Sequence, residues 1–262
     1  MMPKSKLIRS FAFIVLSLFI LQLTGCTKTS LIAAARYGDV STTYKLLKEG
    51  AKVDEPNEAV WNATPLFWSL YECKFETAKI LLAKGAKATA KDSYGYSALQ
   101  MASACKNAEA SVIEDLIQKG ADVHHKSEKD GYTSLHYACM SGTPDVVKLL
   151  IDKGADVNAA DKKGATPLML AVKSNSIPKV EILLERGANI HLIDKKKKTA
   201  KSYVKGLLKK DKNMMELLER AESSRHRSER IHWLRLWLRR RSSRHDEIRD
   251  RRYPPSRISK IR

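Results

Sequence analysis

The chain has 262 residues, of which 43% are apolar. This length suits one or two domains, and the apolar content is sufficient for a hydrophobic core, which excludes a chain that is disordered throughout. Its formal net charge is +19, and the type of basic residue changes along the chain. Residues up to 220 include 30 Lys and 4 Arg, whereas residues 221–262 include 13 Arg and one Lys. We interpret the body and the tail as segments of different origin.

An apolar stretch at residues 11–23 follows three basic residues near the N-terminus. It is shorter than the ~20 residues that a helix needs to span a bilayer, and its length is typical of a signal-peptide core. The segment Leu23-Thr24-Gly25-Cys26 resembles the lipobox of bacterial lipoproteins, in which the cysteine receives a diacylglycerol and becomes the new N-terminus. An uncleaved N-terminal anchor is the alternative interpretation.

The lipobox resemblance implies a signal peptide at residues 1–25, lipid attachment at Cys26 and a very short tether at residues 26–28. We therefore expect an exported protein that a lipid anchors to the membrane. Thr27 stands where an aspartate would, in many Gram-negative lipoproteins, retain the protein in the inner membrane. This favours the outer membrane or a location facing the periplasm.

Two motifs recur with one period in the body of the chain. The segments EGAKV, KGAKA, KGADV, KGADV and RGANI contain Gly50, Gly85, Gly120, Gly154 and Gly187. The segments TPLF, SALQMA, TSLHYA, TPLMLA and TAKSYV begin at Thr64, Ser97, Thr133, Thr166 and Thr199. A shared period near 33 residues predicts stacked copies of one unit, in which a Thr-Pro pair begins the first helix and a glycine ends the second.

This unit resembles the ankyrin repeat, because the T-P-L-H-x-A pattern of that family recurs five times within residues 29–221. The resemblance implies an all-α solenoid of five to six stacked helix-turn-helix repeats. The first repeat lacks the proline, and the segment that begins at Thr199 fits a degenerate C-terminal cap with a polar, lysine-rich face. The predicted domains are the repeats at residues 29–221 and a mostly disordered, arginine-rich tail at residues 222–262.

Ankyrin repeats generally bind partners through their turn tips and the exposed residues of the first helix. Mapped onto this sequence, the resemblance implies a partner-binding surface that contains Tyr37, Tyr71, Tyr94, Tyr96, Tyr132, Met140, Lys162 and Lys163. Tyrosine is enriched in binding surfaces because it offers a large contact area at a low entropic cost. The alternative is that these are ordinary scattered surface tyrosines. We expect Trp61 to extend the surface and Trp68 to pack in the core.

Cys73, Cys105 and Cys139 recur late in the first helices of consecutive repeats. Packed helices lie ~8–10 Å apart, whereas a disulfide requires Cα atoms within ~7 Å, so we expect no disulfide among the three. Their odd number also argues against a disulfide framework. Cys139 is predicted to be a buried thiol, and Cys105 is expected to lie nearer the surface and to be the more reactive of the two.

No catalytic constellation, phosphate-binding loop or metal-ligand cluster is recognisable, so the sequence predicts a protein that is not an enzyme and needs no cofactor. We expect His136 to brace a turn through hydrogen bonds. The pair His124-His125 has no acidic or cysteine cluster beside it, and adjacent residues rarely converge on one metal ion.

Two basic segments remain. Lys195–Lys198 is either a solvated turn or a contact for anionic lipid headgroups or polysaccharide. In the tail, one apolar face of a basic helix fits Ile231, Leu234, Trp237 and Leu238. The tail then binds membrane, binds nucleic acid by neutralising phosphates, or is an accidental extension.

The predicted function is that of a membrane-tethered, exported and monomeric scaffold that binds an unidentified protein partner. The alternative function is that of a basic surface-binding or nucleic-acid-binding protein that acts through the arginine-rich C-terminal tail.

Overall fold

A computed structural model of the chain describes residues 30–57, 61–204 and 212–223. The predicted leader, the lipid-attachment site Cys26 and the tail beyond residue 223 lie outside the described residues, so those expectations remain predictions. The chain divides after Asp156 into two compact units. Each unit is described below on its own.

Helices are the regular elements of the described residues, as the predicted all-α class requires. The first unit contains α1 (Leu31–Tyr37), α2 (Val40–Lys48), α3 (Pro65–Tyr71), α4 (Phe75–Ala83), α5 (Ala98–Ala104), α6 (Ala110–Gln118), α7 (Ser134–Met140) and α8 (Pro144–Asp152). The second unit contains α9 (Pro167–Lys173), α10 (Ile177–Glu185), α11 (Ala200–Val204) and a further helix, α12, at residues 212–223.

The first helix of each repeat begins at a hydroxyl residue, as predicted. The Oγ1 atom of Thr64 accepts the backbone N–H of Phe67, and Thr166 does the same for Met169. In both repeats a proline follows at the first helical position, where its missing N–H removes no helical hydrogen bond. Ser97 and Thr133 form capping boxes, because the side chains of Gln100 and His136 at the third helical position reach back to the backbone N–H of the capping residue.

The second helix of each repeat ends at the recurring glycine. Gly85 has a φ of +88°, a left-handed conformation that glycine adopts without a steric penalty from Cβ. This reversal allows the N–H of Ala86 to donate to the carbonyl of Leu81 over 2.9 Å, which satisfies a carbonyl near the helix end. The motif that first revealed the repeat therefore marks where the chain turns towards the next copy.

The helices of the first unit form two rows. The first helices of successive repeats, α1, α3, α5 and α7, pack side by side in that order, and α2, α4, α6 and α8 form the second row. In the second unit α9 packs against both α10 and α11. The interior of the first unit is rich in fully buried leucines, each of which contributes about 1.5–3 kcal/mol through its burial. They include Leu66, Leu70, Leu81, Leu99, Leu116, Leu135 and Leu150.

Gly142, which follows α7, permits close approach of two neighbouring repeats. A Cβ atom at this position would lie 2.2 Å from the carbonyl oxygen of Ser103 and 2.9 Å from the Cα atom of Ala138. Both are backbone atoms, so neither is able to move aside as a flexible side chain would. The packing of the third repeat against the fourth therefore requires a residue without a side chain here.

We predict that Gly142→Ala lowers the free energy of unfolding by at least about 2 kcal/mol, because relieving the overlap requires the backbone to shift. Urea denaturation followed by circular dichroism measures the change. The neighbouring substitution Ser141→Ala is the control and is expected to change stability by less than about 0.5 kcal/mol. Equal stability of the two variants would contradict the proposed close packing.

Candidate functional site

The turn between α4 and α5 presents two tyrosines on a fixed backbone. The Oδ1 atom of Asp92 accepts the backbone N–H groups of Tyr94 and Tyr96 over 3.0 and 2.8 Å. Burial raises the pKa of Asp92, and these two hydrogen bonds act in the opposite direction. The backbone N–H of Ser93 also donates to the carbonyl of Trp61 over 2.7 Å, which ties this turn to the preceding one.

Beside this turn lies a groove with a volume of about 380 Å³, which we call the aromatic groove. Three consecutive repeats of the first unit contribute to it. Its lining is mainly aromatic and sulfur-containing, with one acidic and one basic side chain. The lining residues are Trp61, Phe67, Tyr71, Cys73, Asp92, Tyr94, Tyr96, Met101, Ala104, Cys105, Lys129, Tyr137 and Met140.

Contacts between rings hold one end of the aromatic groove in shape. The indole of Trp61 stacks on the buried indole of Trp68, with ring centroids 5.1 Å apart and planes 14° apart. The edges of Tyr71 and Tyr94 meet Trp61 at centroid distances of 5.6 and 6.3 Å. Each such pair contributes about 0.5–1.5 kcal/mol beyond simple burial. Tyr71 and Tyr94 nevertheless remain exposed, so their surfaces are available to a ligand.

At the other end, two tyrosine hydroxyls share one carboxylate. Tyr96 and Tyr137 donate to the Oδ2 atom of Asp130 over 3.2 and 3.4 Å. Burial, followed by the charge of Asp130, raises the pKa of Tyr96 to about 12. Burial and the same charge raise the pKa of Tyr137 as well. Both hydroxyls are therefore protonated donors at neutral pH, and this end of the groove carries no tyrosinate charge.

The charges that line the aromatic groove are also committed to internal contacts. The Nζ atom of Lys129 lies 5.1 Å from the ring centroid of Tyr94, a distance at which a cation is attracted to the ring face. The carboxylate of Asp92 is engaged by the turn described above. The groove consequently suits an apolar or aromatic group that is flanked by polar atoms better than it suits a strongly charged ligand.

A disulfide between Cys73 and Cys105 forms part of the groove lining, so the prediction that these residues stay unpaired is wrong. Their Cα atoms are 5.8 Å apart. The prediction relied on the distance between packed helices, but Cys73 and Cys105 both follow the last helical residue of α3 or α5. Cys73 adopts a φ of +56° and Cys105 is extended, so the two chain ends approach more closely than the helix axes do.

The remaining thiol behaves as predicted, and Cys105 does not. Cys139 lies within α7, where it is a completely buried thiol. Cys105 is only 3% exposed, which contradicts the expectation of a reactive thiol near the surface. The distance from the capping residue distinguishes the disulfide-bonded cysteines from Cys139. Cys73 stands nine residues after Thr64 and Cys105 stands eight after Ser97, beyond the helix, whereas Cys139 stands only six residues after Thr133, within the helix.

The structure brings together half of the residues predicted to bind a partner. Tyr71, Tyr94, Tyr96 and Met140 line the aromatic groove. Tyr132 does not line it, because its ring stacks on His136 with centroids 5.4 Å apart. The others lie elsewhere: Tyr37 is 59% exposed outside the groove, and Lys162 and Lys163 are exposed in a turn of the second unit.

Sequence reasoning missed Phe67, Met101 and Tyr137 as groove residues. Met101 and Tyr137 each stand four residues after the capping residue of their repeat, Ser97 and Thr133. Equivalent positions on stacked first helices face the same side, so this shared offset was the signal that could have revealed them. Trp61 and Trp68 lie as expected, the first in the groove and the second buried.

The histidines have structural contacts. The Nδ1 atom of His136 accepts the backbone N–H of Thr133 over 3.1 Å, which confirms its predicted role in bracing the helix start. The Nε2 atom of His125 lies 2.7 Å from the carbonyl oxygen of Gly95. Within the part of the chain that the structure describes, no group of three or more His, Cys, Asp and Glu side chains is placed to hold a metal ion. Among these same residues, no helix is both long and apolar enough to cross a membrane.

Comparison with known proteins assigns the class of protein that this architecture represents. The family profile described as "Ankyrin repeats (3 copies)" matches residues 31–124 and 101–194, which together are more than half of the chain. The chain belongs to the ankyrin-repeat family.

A curated relative also contains a similar segment. The chain is 26% identical over 120 residues to a protein of Oryza sativa subsp. japonica named probable E3 ubiquitin-protein ligase XBOS32. The match covers 45% of this chain and 24% of that protein, so the chain spans about a quarter of the length of the relative.

We predict that the double substitution Cys73→Ser and Cys105→Ser lowers the free energy of unfolding by about 3 kcal/mol, because the disulfide closes a loop of 32 residues. Urea denaturation measures this loss. Dithiothreitol should destabilise the wild-type chain by a similar amount and leave the double variant unchanged. A wild-type chain that is insensitive to dithiothreitol would show that the disulfide contributes nothing to stability.

Proposed function

We propose that this ankyrin-repeat protein is an exported, membrane-tethered scaffold that binds a protein partner in the aromatic groove. The observation that carries the proposal is the cluster of Trp61, Tyr71 and Tyr94 around a concave space of about 380 Å³. Aromatic side chains in a concave, pre-formed site are typical of the residues that dominate the binding energy of interfaces. The family itself supports an interaction role and not a catalytic one.

The groove favours a particular kind of partner segment. Its volume accommodates one or two large side chains, and its walls combine ring faces with the sulfur atoms of Met101 and Met140. Tyrosine and methionine adapt to apolar and aromatic groups, and the hydroxyl of Tyr94 remains able to bond to a peptide backbone. We therefore propose a peptide segment that inserts an aromatic or aliphatic side chain into the groove.

Two independent features support export and tethering. The first is the lipobox-like segment that ends at Cys26, which lies before the described residues. The second is the disulfide between Cys73 and Cys105. Structural disulfides form and persist mainly in oxidising compartments, such as the bacterial periplasm or the cell surface. In the cytoplasm, thiol reductants usually keep cysteines reduced, so this disulfide favours an exported location.

The relative's name describes a ubiquitin ligase, and we do not propose that activity here. The match covers 24% of that protein, so most of the relative has no counterpart in the match. What the comparison supports is a shared repeat architecture for binding other proteins.

We predict that the double substitution Tyr71→Ala and Tyr94→Ala weakens peptide binding by at least about tenfold, because each substitution removes an exposed ring from the groove wall. The probe is a peptide selected on the wild-type protein from a phage-displayed random library, and fluorescence anisotropy measures its affinity. The matched control, Tyr37→Ala with Tyr44→Ala, also removes two exposed tyrosines, which are 59% and 54% exposed outside the groove. Equal affinity of the groove variant and the wild type would refute the groove as the site.

We also predict that the protein recovered from the membrane fraction of a bacterial host has the mass of residues 26–262 plus acyl chains. Mass spectrometry of the intact protein measures this directly. Cys26→Ser should prevent both acylation and cleavage, so the variant should retain residues 1–25. A wild-type mass that includes residues 1–25 and no acyl chain would contradict the proposed lipid anchor and leave the groove proposal unaffected.

A further inference from the structure

The second unit carries a dense group of lysines at its turn tips. Lys162 and Lys163 lie in the turn before α9, Lys173 lies at the end of α9, and Lys195–Lys198 form the turn before α11. All of these side chains are exposed. We refer to these seven residues as the lysine patch.

A backbone hydrogen bond joins the two turn tips. The N–H of Lys195 donates to the carbonyl oxygen of Lys163 over 2.8 Å, so the two tips are direct neighbours. Gly164 packs against the next turn as well, with a hypothetical Cβ only 3.2 Å from the Cα atom of Asp194. The lysines of two repeats therefore form one continuous surface and not two separate turns.

The carboxylates of the two turns are committed to their own backbone. The Oδ1 atom of Asp161 accepts the N–H groups of Lys163 and Ala165, both over 2.7 Å. Asp194 accepts those of Lys196 and Lys198 over 2.8 and 2.9 Å, and its other oxygen accepts the hydroxyl of Tyr203. Among the described residues, no salt bridge neutralises Lys163, Lys195, Lys196 or Lys197.

The environment of Lys173 reflects this concentration of positive charge. Its Nζ atom lies 3.9 Å from the ring centroid of Tyr203, and the Nζ atom of Lys198 lies 5.5 Å from the same ring. Partial burial lowers the pKa of Lys173. The negative charges of Asp194 and Asp161 raise this pKa, whereas the positive charges of Lys196 and Lys163 lower it further. These lysines are thus close enough to repel one another, and an anionic partner would relieve that repulsion.

Lys197 adds a separate indication of function. Its φ is +58°, which lies in the left-handed region. The equivalent positions of two other turns are occupied by glycine, Gly95 and Gly164, each with a φ of +75°. A side chain with a Cβ atom is strained in this conformation, and glycine would relieve the strain. Strained residues tend to cluster where function requires the side chain. A lysine at this position, the third of four in a row, gains charge at the expense of stability.

We propose that the lysine patch is a docking surface for the anionic headgroups of phospholipids at a bilayer surface. Lysine supplies point charges on flexible stems, which suit an array of phosphates without fixed geometry. The patch also lacks the free aromatic face that single-stranded nucleic acid uses for stacking, because two ammonium groups already approach Tyr203. The choice of lipid over other phosphate carriers rests on the membrane tether proposed above. The charge and geometry of the patch are observed independently of that proposal.

The test is binding of the full chain, carrying Cys26→Ser, to vesicles of phosphatidylcholine that contain about 30% phosphatidylglycerol, at low and high salt. The patch variant is Lys163→Gln, Lys195→Gln and Lys196→Gln. We expect its affinity to fall by at least about tenfold at low salt, and we expect the difference to shrink as salt screens the charges. The leader and the tail are unchanged in every variant, so a difference in affinity between variants comes from the substituted lysines.

The matched control is Lys48→Gln, Lys119→Gln and Lys148→Gln, which removes the same charge from three exposed lysines of the first unit. Its affinity should stay within about twofold of the wild type, because the effect depends on clustering and not on net charge alone. Equal losses in both variants, or no loss in the patch variant, would overturn the proposal. A loss for a DNA duplex but not for the vesicles would overturn the assignment to lipid.

Lys197→Gly separates binding from folding. This variant should unfold at a higher temperature than the wild type, because glycine relieves the left-handed strain. It should also bind the anionic vesicles more weakly, so stability and affinity change in opposite directions. Unchanged affinity in a more stable variant would remove Lys197 from the proposed surface. Peptide binding in the aromatic groove should be unaffected by every lysine substitution, so the two proposals are able to fail separately.

Discussion

One carboxylate at the start of the turn fixes the backbone on which both proposed surfaces depend. Asp92, Asp161 and Asp194 each use a single oxygen to accept the N–H groups of the residues two and four positions later. Each carboxylate is thereby consumed within its own turn, and the direction of the tip is set regardless of which side chains it carries. The residue two positions after the aspartate is Tyr94 in the first of these turns and a lysine in the other two. The same local geometry therefore presents an aromatic wall in one unit and a cationic patch in the other.

The repeats could be predicted from the sequence because their determinants are local. A hydroxyl residue at the helix start, a proline after it and a glycine after the second helix each act on backbone groups within a few residues of themselves, and the structure retains all three. The disulfide could not be predicted in this way, because it depends on how two helix ends diverge from their axes. Cys73 and Cys105 leave their helices with different backbone conformations, and only that divergence brings their Cα atoms to 5.8 Å.

The aromatic groove was predictable in part, for a similar reason. Tyr94 and Tyr96 lie on a turn whose direction follows from Asp92, so their position is a local property. Tyr132 precedes the capping residue of its repeat just as Tyr96 does, yet its ring stacks on His136 instead of lining the groove. His136 stands where another repeat has Gln100, whose amide instead donates to the carbonyl of Tyr132 over 2.7 Å. The ring of His136, in the same repeat as Tyr132, thus holds this tyrosine away from the groove.

The left-handed residues connect the fold to the two proposed surfaces. Apart from glycine, five of the described residues have a clearly positive φ: Trp61, Asn62, Cys73, Asn175 and Lys197. Asparagine adopts this conformation readily, so the two asparagines need no further explanation. Of the other three, Trp61 and Cys73 line the aromatic groove, and Lys197 lies in the lysine patch. Glycine would be less strained at each of these positions but would remove an indole, a disulfide or a cation. At Trp61 and Lys197 this is the pattern expected when binding determines the residue, whereas at Cys73 the strained residue forms the disulfide that stabilises the fold.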